Sequence, residues 1–250
     1  MKIRLVRHAT LLLNIKNKRI LVDPMLSPAG TIEAIPNVCN TNKNPLVKLP
    51  IDLHKIVNVD AILLTHMHRD HFDEFAAQLI PKHTPVFCQP EDKKKVESKG
   101  FFTVIPIEQL YIWEGIKINR TGGQHGTGKI GKEMGAVSGY VITAQNEPSL
   151  YIAGDTILCS EVEGVLKTYK PQITVVFAGA ARFSEGDAIT MTEEDIYNLC
   201  RKAPYTKVVA VHMEAWNHCT LTKLKLKEFL EKHALNRQVY VPNDGEYRAY

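Results

Sequence analysis

The chain has 250 residues and a mass of 28.1 kDa, and its 44% hydrophobic, 23% charged and 8% aromatic content suits a globular enzyme with a sizeable core and excludes disordered, collagen-like and coiled-coil chains. A net charge of +4 and a pI near 8.7 leave room for an anionic substrate but fall short of the basic density of a dedicated nucleic-acid binder. No apolar run approaches the roughly 18 residues of a membrane span, Arg7 and His8 interrupt the faintly leader-like start, and five scattered cysteines without a C-x-x-C pair predict reduced thiols in a cytoplasmic protein.

In chain order, alternating apolar residues predict strands at 2–7, 9–15 and 19–22, with a turn at Lys16-Asn17-Lys18 and a strand end at Asp23-Pro24. Residues 25–50 carry Pro28, Pro36, Pro45 and Pro50 and read as one long irregular loop, which in a compact domain often serves a site. Apolar runs predict strands at 61–65, 85–89 and 102–105, separated by helices at 73–80 and 91–99. Further strands fit 116–120, 140–143, 150–153, 173–177 and 208–211, with helices at 161–169, 193–203 and 223–233. Thr190 and Glu193 have capping-box spacing, and Thr222 is placed to cap the last helix with Leu221 and Leu226 as a hydrophobic staple. Two halves, each with strands first and helices later, predict an α/β chain built as a four-layer αββα sandwich. No repeat, low-complexity tract or linker divides residues 1–250, so one domain is expected.

One segment stands apart: Ile62-Leu63-Leu64-Thr65-His66-Met67-His68-Arg69-Asp70-His71. Ten histidines in 250 residues give a six-residue window about 0.24 of one, and residues 66–71 hold three plus an aspartate. The cluster follows an apolar strand, where a rigid sheet presents it. His66 and His68 project together from extended chain, whereas Asp70 and His71 turn toward a neighbouring point, so the spacing suits two adjacent ions. Imidazole and carboxylate are the donors that zinc prefers.

The order H-x-H-x-D-H resembles the signature of the metallo-β-lactamase superfamily, and later segments extend the resemblance over most of the chain. His125 lies in Thr121-Gly122-Gly123-Gln124-His125, Asp155 in Tyr151-Ile152-Ala153-Gly154-Asp155, and His212 in Val208-Val209-Ala210-Val211-His212, each after a predicted strand. The resemblance implies the metallo-β-lactamase fold, with His66, His68 and His125 holding one ion, Asp70, His71 and His212 a second, and Asp155 bridging. Arg7-His8-Ala9-Thr10, Ile20-Leu21-Val22-Asp23-Pro24 and Pro242-Asn243-Asp244-Gly245-Glu246 look like the branch that includes ascorbate-6-phosphate lactonase, although Arg7 stands where that branch commonly has glycine. Asp155 replaces the cysteine of the best-studied zinc β-lactamases, and His68 replaces the glutamate of the diiron flavoprotein branch.

The resemblance implies a hydrolase in which two divalent ions, zinc with manganese or iron as alternatives, share a water whose pKa falls from 15.7 toward roughly 7. The hydroxide would cleave an ester, lactone or phosphoester bond in a small substrate. Asp70 would orient the nucleophile or pass a proton, and His218 would serve as a proton shuttle or substrate contact at the mouth. Asp23 is a candidate to hold a histidine ligand from behind, with a plain strand-ending Asp-Pro turn as the alternative. His8, Arg182 and Lys129 are expected at the substrate, while His54, His83 and His233 read as structural. The sequence Gly123-Gln124-His125-Gly126-Thr127-Gly128-Lys129 matches a phosphate-loop pattern on paper, but Ile130 follows instead of Ser or Thr, and Gly131 and Gly135 make a helix start there improbable. Iron-dependent redox chemistry and a nuclease or phosphodiesterase stay open as rivals. No nucleic-acid or membrane partner is expected, and homo-oligomerisation is left open.

Overall fold

Lys16 and Asn17 both take positive φ (47° and 65°), the backbone that a two-residue hairpin turn needs to match the twist of its strands. They join β2 (Thr10–Ile15) to β3 (Lys18–Val22), and β1 (Lys2–Arg7) pairs with β2 on the other side, all antiparallel. The computed structural model describes residues 1–250. Past the long loop, α1 (His54–Val57) leads to β4 (Ala61–Leu63), α2 (Glu74–Leu79), β5 (Val86–Cys88), α3 (Lys93–Glu97) and β6 (Val104–Pro106). Strands β3 to β6 run parallel, and the last strand, β14 (Tyr247–Ala249), returns to the outer edge of β1.

The second half repeats the plan. Strands β7 (Leu110–Trp113), β8 (Ile116–Thr121), β9 (Gly139–Ala144) and β10 (Leu150–Ile152) are antiparallel neighbours, with α4 (Gly128–Met134) between β8 and β9. Then β11 (Ile173–Phe177), β12 (Lys207–Val211) and β13 (Val239–Tyr240) continue in parallel from β10, connected through α5 (Ser160–Tyr169), α6 (Glu193–Lys202) and α7 (Lys223–Lys232).

Strand alternation decides which face each side chain covers. Ile20, Val22, Leu63, Ile142, Ile152, Val175 and Val211 share the core between the two sheets. The intervening Leu21 and Ile62 pack outward with Ile56, Ala76 and Val96 of the helices. On the other side Val141, Tyr151, Val176 and Ala210 meet Val162, Leu166, Leu199, Leu226 and Leu230. Parallel strands buried on both faces read as continuous apolar runs, and β11 is buried at all five positions. The order is helices, sheet, sheet, helices, which is the αββα sandwich the patterning predicts. No helix is long and apolar enough to cross a membrane.

The departures have physical causes. The capping box at α6 is formed by Thr192 and Asp195 rather than Thr190 and Glu193, because the buried Thr190 hydroxyl accepts from the Ala181 N–H at 2.9 Å. Thr222 caps α7 as expected, accepting from Lys225, with Leu221 and Leu226 buried in one cluster. A helix does start at Gly128, in the segment where the glycines argue against one. β7, β13 and β14 escape the patterning because the first is half-exposed at an edge, the second has two residues and the third is wholly exposed.

The 25–50 loop is held by polar side chains from both ends of the fold. The buried Arg7 guanidinium donates to the carbonyls of Met25, Ser27 and Val47 at 2.9–3.0 Å. Asn217 accepts from the Ile35 N–H and the Asn44 amide, and donates to the carbonyls of Ile35 and Asn40. Trp216, Met25 and Ala215 fill the space beneath, with Ile32, Ile35 and Val47 packed against them. Asn217→Ala strands these loop groups without partners, so it is expected to destabilise the protein by about 2–4 kcal/mol, read as a lower denaturant midpoint. Wild-type stability would show that the loop is held by its apolar contacts alone.

Candidate metal centre

The site forms where the parallel strands of both sheets end, the edge at which open α/β sheets place their ligands. His66, His68, Asp70 and His71 lie in the turn after β4, which closes through His71 N–H and Phe72 N–H donated to the His68 carbonyl. His125 follows β8. Asp155 follows β10 through Gly154, whose φ of 75° and the 2.6 Å approach of a Cβ there to the Ser138 carbonyl oxygen leave room only for glycine. His212 ends β12 in a left-handed conformation (φ 68°), its ring stacked on Phe177 of β11 at 5.4 Å.

These side chains gather into two adjacent groups. One donor atom each from His66, His68 and His125 lies within 4.8 Å of the others. In the second group His71 Nε2 is 3.3 Å from His212 Nε2, and Asp70 Oδ2 is 3.8 Å and 3.6 Å from them. Asp155 stands between. Its Oδ2 is 3.3 Å from His125 Nε2, 3.9 Å from His66 Nε2 and 3.2 Å from His71 Nε2, while Oδ1 is 3.2 Å from His212 Nε2. His66 Nε2 and Asp155 Oδ1 are buried without hydrogen-bond partners, which is costly unless a cation takes them. Buried, inward-aimed imidazole and carboxylate donors fit a pair of borderline divalent ions.

A further layer turns each ring. His71 Nδ1–H donates to Asp23 Oδ2 at 2.9 Å, and Asp23 is itself held by the Thr65 N–H and hydroxyl at 2.8 and 2.7 Å. His125 Nδ1–H donates to the Ile189 carbonyl at 2.8 Å, and His66 Nδ1 faces the Thr65 hydroxyl at 3.1 Å. Such partners fix the tautomer that leaves Nε2 free, and losing one typically costs 10–100-fold in ion affinity. Asp23→Ala is therefore expected to weaken divalent-ion binding by about 10–100-fold in competition with a chromophoric chelator. Unchanged affinity would mean that packing alone orients His71.

The charges of the cluster are strongly coupled. Burial alone would raise the Asp155 carboxyl, but His212, His71 and His125 hold it well below the usual carboxylate range. Burial alone would lower His71, yet Asp155, Asp70 and Asp23 hold it well above an ordinary imidazole. His212 is raised to about 10 against its own burial, chiefly by Asp155. His218 is pushed down to about 4, mainly by burial, with Asp70 opposing.

A cavity of about 180 Å³ opens over both groups, lined by His68, Asp70, His125, Asp155 and His218 on the polar side and by Ile35, Met134, Phe183 and Ile189 on the apolar side. His218 reaches this wall, with Nε2 3.9 Å from Asp70 Oδ2. Three expected substrate residues do not line it. His8 is buried beneath the second group, Nε2 3.4 Å from Asp70 Oδ2. Lys129 points to solvent with an 89% exposed side chain, near Glu133 one helical turn away. Arg182 is exposed, and its neighbour Phe183 takes the wall instead. The cation at the cavity is Arg69, over the Trp216 ring at 5.6 Å. Arg69 stands inside the histidine motif, where its neighbours' ligand chemistry hides it from a sequence signal of its own. None of His54, His83 and His233 joins either group.

Two face-to-face sheets with outer helices, and a His/Asp cluster at their strand ends, define a candidate metalloenzyme of the metallo-β-lactamase fold. The chain belongs to the β-lactamase superfamily: the sequence model described as "Beta-lactamase superfamily domain" matches residues 18–213. It is 39% identical over 250 residues to UPF0173 protein YddR of Bacillus subtilis (strain 168), covering 98% of each chain. Among solved structures, an isothiocyanate hydrolase from Delia radicum gut bacteria is 35% identical with a TM-score of 0.96, covering 100% of this chain and 99% of that one. A possible metal-dependent hydrolase from Veillonella parvula DSM 2008 is 33% identical, also with a TM-score of 0.96, covering 99% and 98%. The chain is a metal-dependent hydrolase of this superfamily.

Proposed function

We propose that the chain hydrolyses a small, neutral electrophile bearing an apolar substituent, and that an isothiocyanate is its best representative. The observation that carries this reading is the cavity wall: Ile35, Met134, Phe183 and Ile189 face the His/Asp cluster across about 180 Å³. Such a space takes an apolar group with a few convergent polar atoms at its end. The anionic substrate that the basic pI leaves open keeps a single cation at the cavity, Arg69, since Lys129 and Arg182 lie outside. The 35% identity to an isothiocyanate hydrolase over the whole chain supports the choice. Five free cysteines favour a cytoplasmic setting, and the partner is a small molecule rather than nucleic acid.

Held by His66, His68 and His125 and by Asp70, His71 and His212 with Asp155 between, two divalent ions, zinc by donor preference, would supply Lewis acidity and an acidified water near neutral pH. The chain's own groups do the rest. Asp155 sets the spacing of the two halves, and Asp70 accepts a proton from the attacking water. His218, neutral at pH 7, relays that proton to the leaving atom across the cavity wall. Arg69 offers its guanidinium to negative charge developing on sulfur or oxygen. For an isothiocyanate, one water adds to the central carbon, the carbon–nitrogen bond breaks, and the products are an amine and carbonyl sulfide.

The test is a panel of benzyl isothiocyanate, a nitrophenyl ester, an aliphatic lactone and a bis(nitrophenyl) phosphate, assayed with chelator-stripped protein reloaded with zinc, manganese or iron. Amine release with kcat/KM at least about tenfold above the other substrates, worth about 1.4 kcal/mol, is expected. Preference for the phosphodiester would sink the neutral-substrate reading. Oxygen consumption by the iron form would move the enzyme to redox chemistry.

A further inference from the structure

We propose that the metal cavity is the inner half of a longer substrate site, and that Met134 and Phe183 form a gate through which an extended apolar substituent passes into an outer cleft; this rests on reading the cavity as the seat of a neutral electrophile. The inner cavity measures about 180 Å³ and has both side chains in its wall. The same two side chains line a second cavity of about 520 Å³, where Ile130 continues the apolar surface and Asn37, Ser184 and Glu185 supply a polar rim.

Volume decides how a substituent must lie. An apolar cavity of about 150 Å³ takes one benzene. The inner space also has to hold the reacting carbon, its heteroatoms and the attacking water, so only a few carbons of a substituent fit there. A longer one has to continue past the wall, and Met134 and Phe183 are the wall residues with the larger space behind them. Ile130 and Met134 are one helical turn apart on α4, so they share a face and make one apolar track leading outward.

The two sides of the gate differ in stiffness. Phe183 is held through both of its neighbours: the Arg182 N–H donates to the His218 carbonyl at 3.0 Å, and the Ser184 N–H and hydroxyl both donate to the Asn37 carbonyl at 2.7 and 2.9 Å. These bonds tie Phe183 to the cavity wall on one side and to the 25–50 loop on the other. By contrast, α4 buries none of its seven residues, and Met134 is unbranched and turns readily about its side-chain bonds. Met134 is therefore the side that yields, and its bulk sets how thick a substituent can pass. Its part is to choose between short and long substrates, whereas the ions and the moving proton belong to the His/Asp cluster.

The experiment measures binding of straight-chain hydroxamic acids, with alkyl groups from ethyl to octyl, to the full zinc-loaded chain by titration calorimetry, their heads anchoring at the cluster. In the wild type each added methylene should tighten binding by about two- to fourfold, continuing past butyl to octyl. Met134→Trp should flatten the series beyond butyl and weaken the octyl compound by at least about tenfold relative to the ethyl one. Ile130→Asp, which leaves the gate itself in place, should lower the octyl preference in the same direction. A wild-type series that stops tightening once the inner cavity is full would overturn the gate, as would either folded variant with the wild-type octyl-to-ethyl ratio. The hydroxamates report binding alone, so an enzyme that releases no amine from any isothiocyanate would sink the electrophile reading, while a rising series in the same protein would uphold the gate.

Discussion

Asp155→Ala is expected to lower kcat/KM by at least about 10³-fold, roughly 4 kcal/mol of transition-state stabilisation, and to empty both halves of the centre together. Asp155 is the carboxylate that reaches donors of both groups: Oδ2 meets His125, His66 and His71, and Oδ1 meets His212. Removing it takes a shared donor from each half and leaves four buried imidazoles facing one another without the carboxylate that compensates them. Elemental analysis should show less than one ion per chain, whereas loss of His68, which belongs to one group only, should spare the second. Asp155→Asn keeps the volume and removes the charge, so it distinguishes electrostatics from shape. If both Asp155 variants bound two ions with near wild-type turnover, the carboxylate would not be the link between the halves.

The same cluster shows why some features could be read from the sequence and others could not. His66, His68, Asp70 and His71 announce themselves because rare residues crowd the end of an apolar run, and the structure brings His125, Asp155 and His212 to them from the ends of three other strands. Asp23 was visible for a similar reason, as a lone carboxylate ending a buried strand. The cavity wall carries no such mark. Ile35, Met134, Phe183 and Ile189 come from three separate connections, each is an ordinary apolar residue, and only the meeting of two sheet edges makes them neighbours. Lys129 failed as a substrate contact for a local reason: it lies on α4, which turns it toward Glu133 and solvent. His8 had to be misplaced by any linear reading, because its environment is built by Asp70 and His212, 62 and 204 positions further along.

Ion uptake is expected to tighten steeply with pH, by about tenfold per pH unit for each proton that an ion displaces. The sign follows from the ion-free cluster. His71 lies well above an ordinary imidazole and His212 near 10, held there by Asp155 in particular against the opposing effect of burial. Both rings therefore carry protons at pH 7 when no ion is bound, and an ion must expel them to reach Nε2. Raised folded-state values also mean that the stabilisation from these protonated rings is complete below about 6.5 and fades as pH climbs through the folded values. Asp70 and Asp155, held well below 3.8 despite burial, contribute in the opposite direction, with stabilisation present above 3.8 and lost as pH falls through their folded values. His8, His66, His125 and His218, held below an ordinary imidazole chiefly by burial, lose stabilisation as pH falls below about 6.5, so the stripped protein should be most stable near about pH 6.5, whereas the zinc-loaded protein gains from tighter binding as pH rises. The difference in Tm between loaded and stripped protein should widen from about pH 6 to pH 8.5. Titration calorimetry in two buffers of different ionisation enthalpy should count one to two protons released near pH 7. No proton release, with a Tm difference that shrinks as pH rises, would mean that the cluster stores its carboxylate charge without protonating His71 and His212.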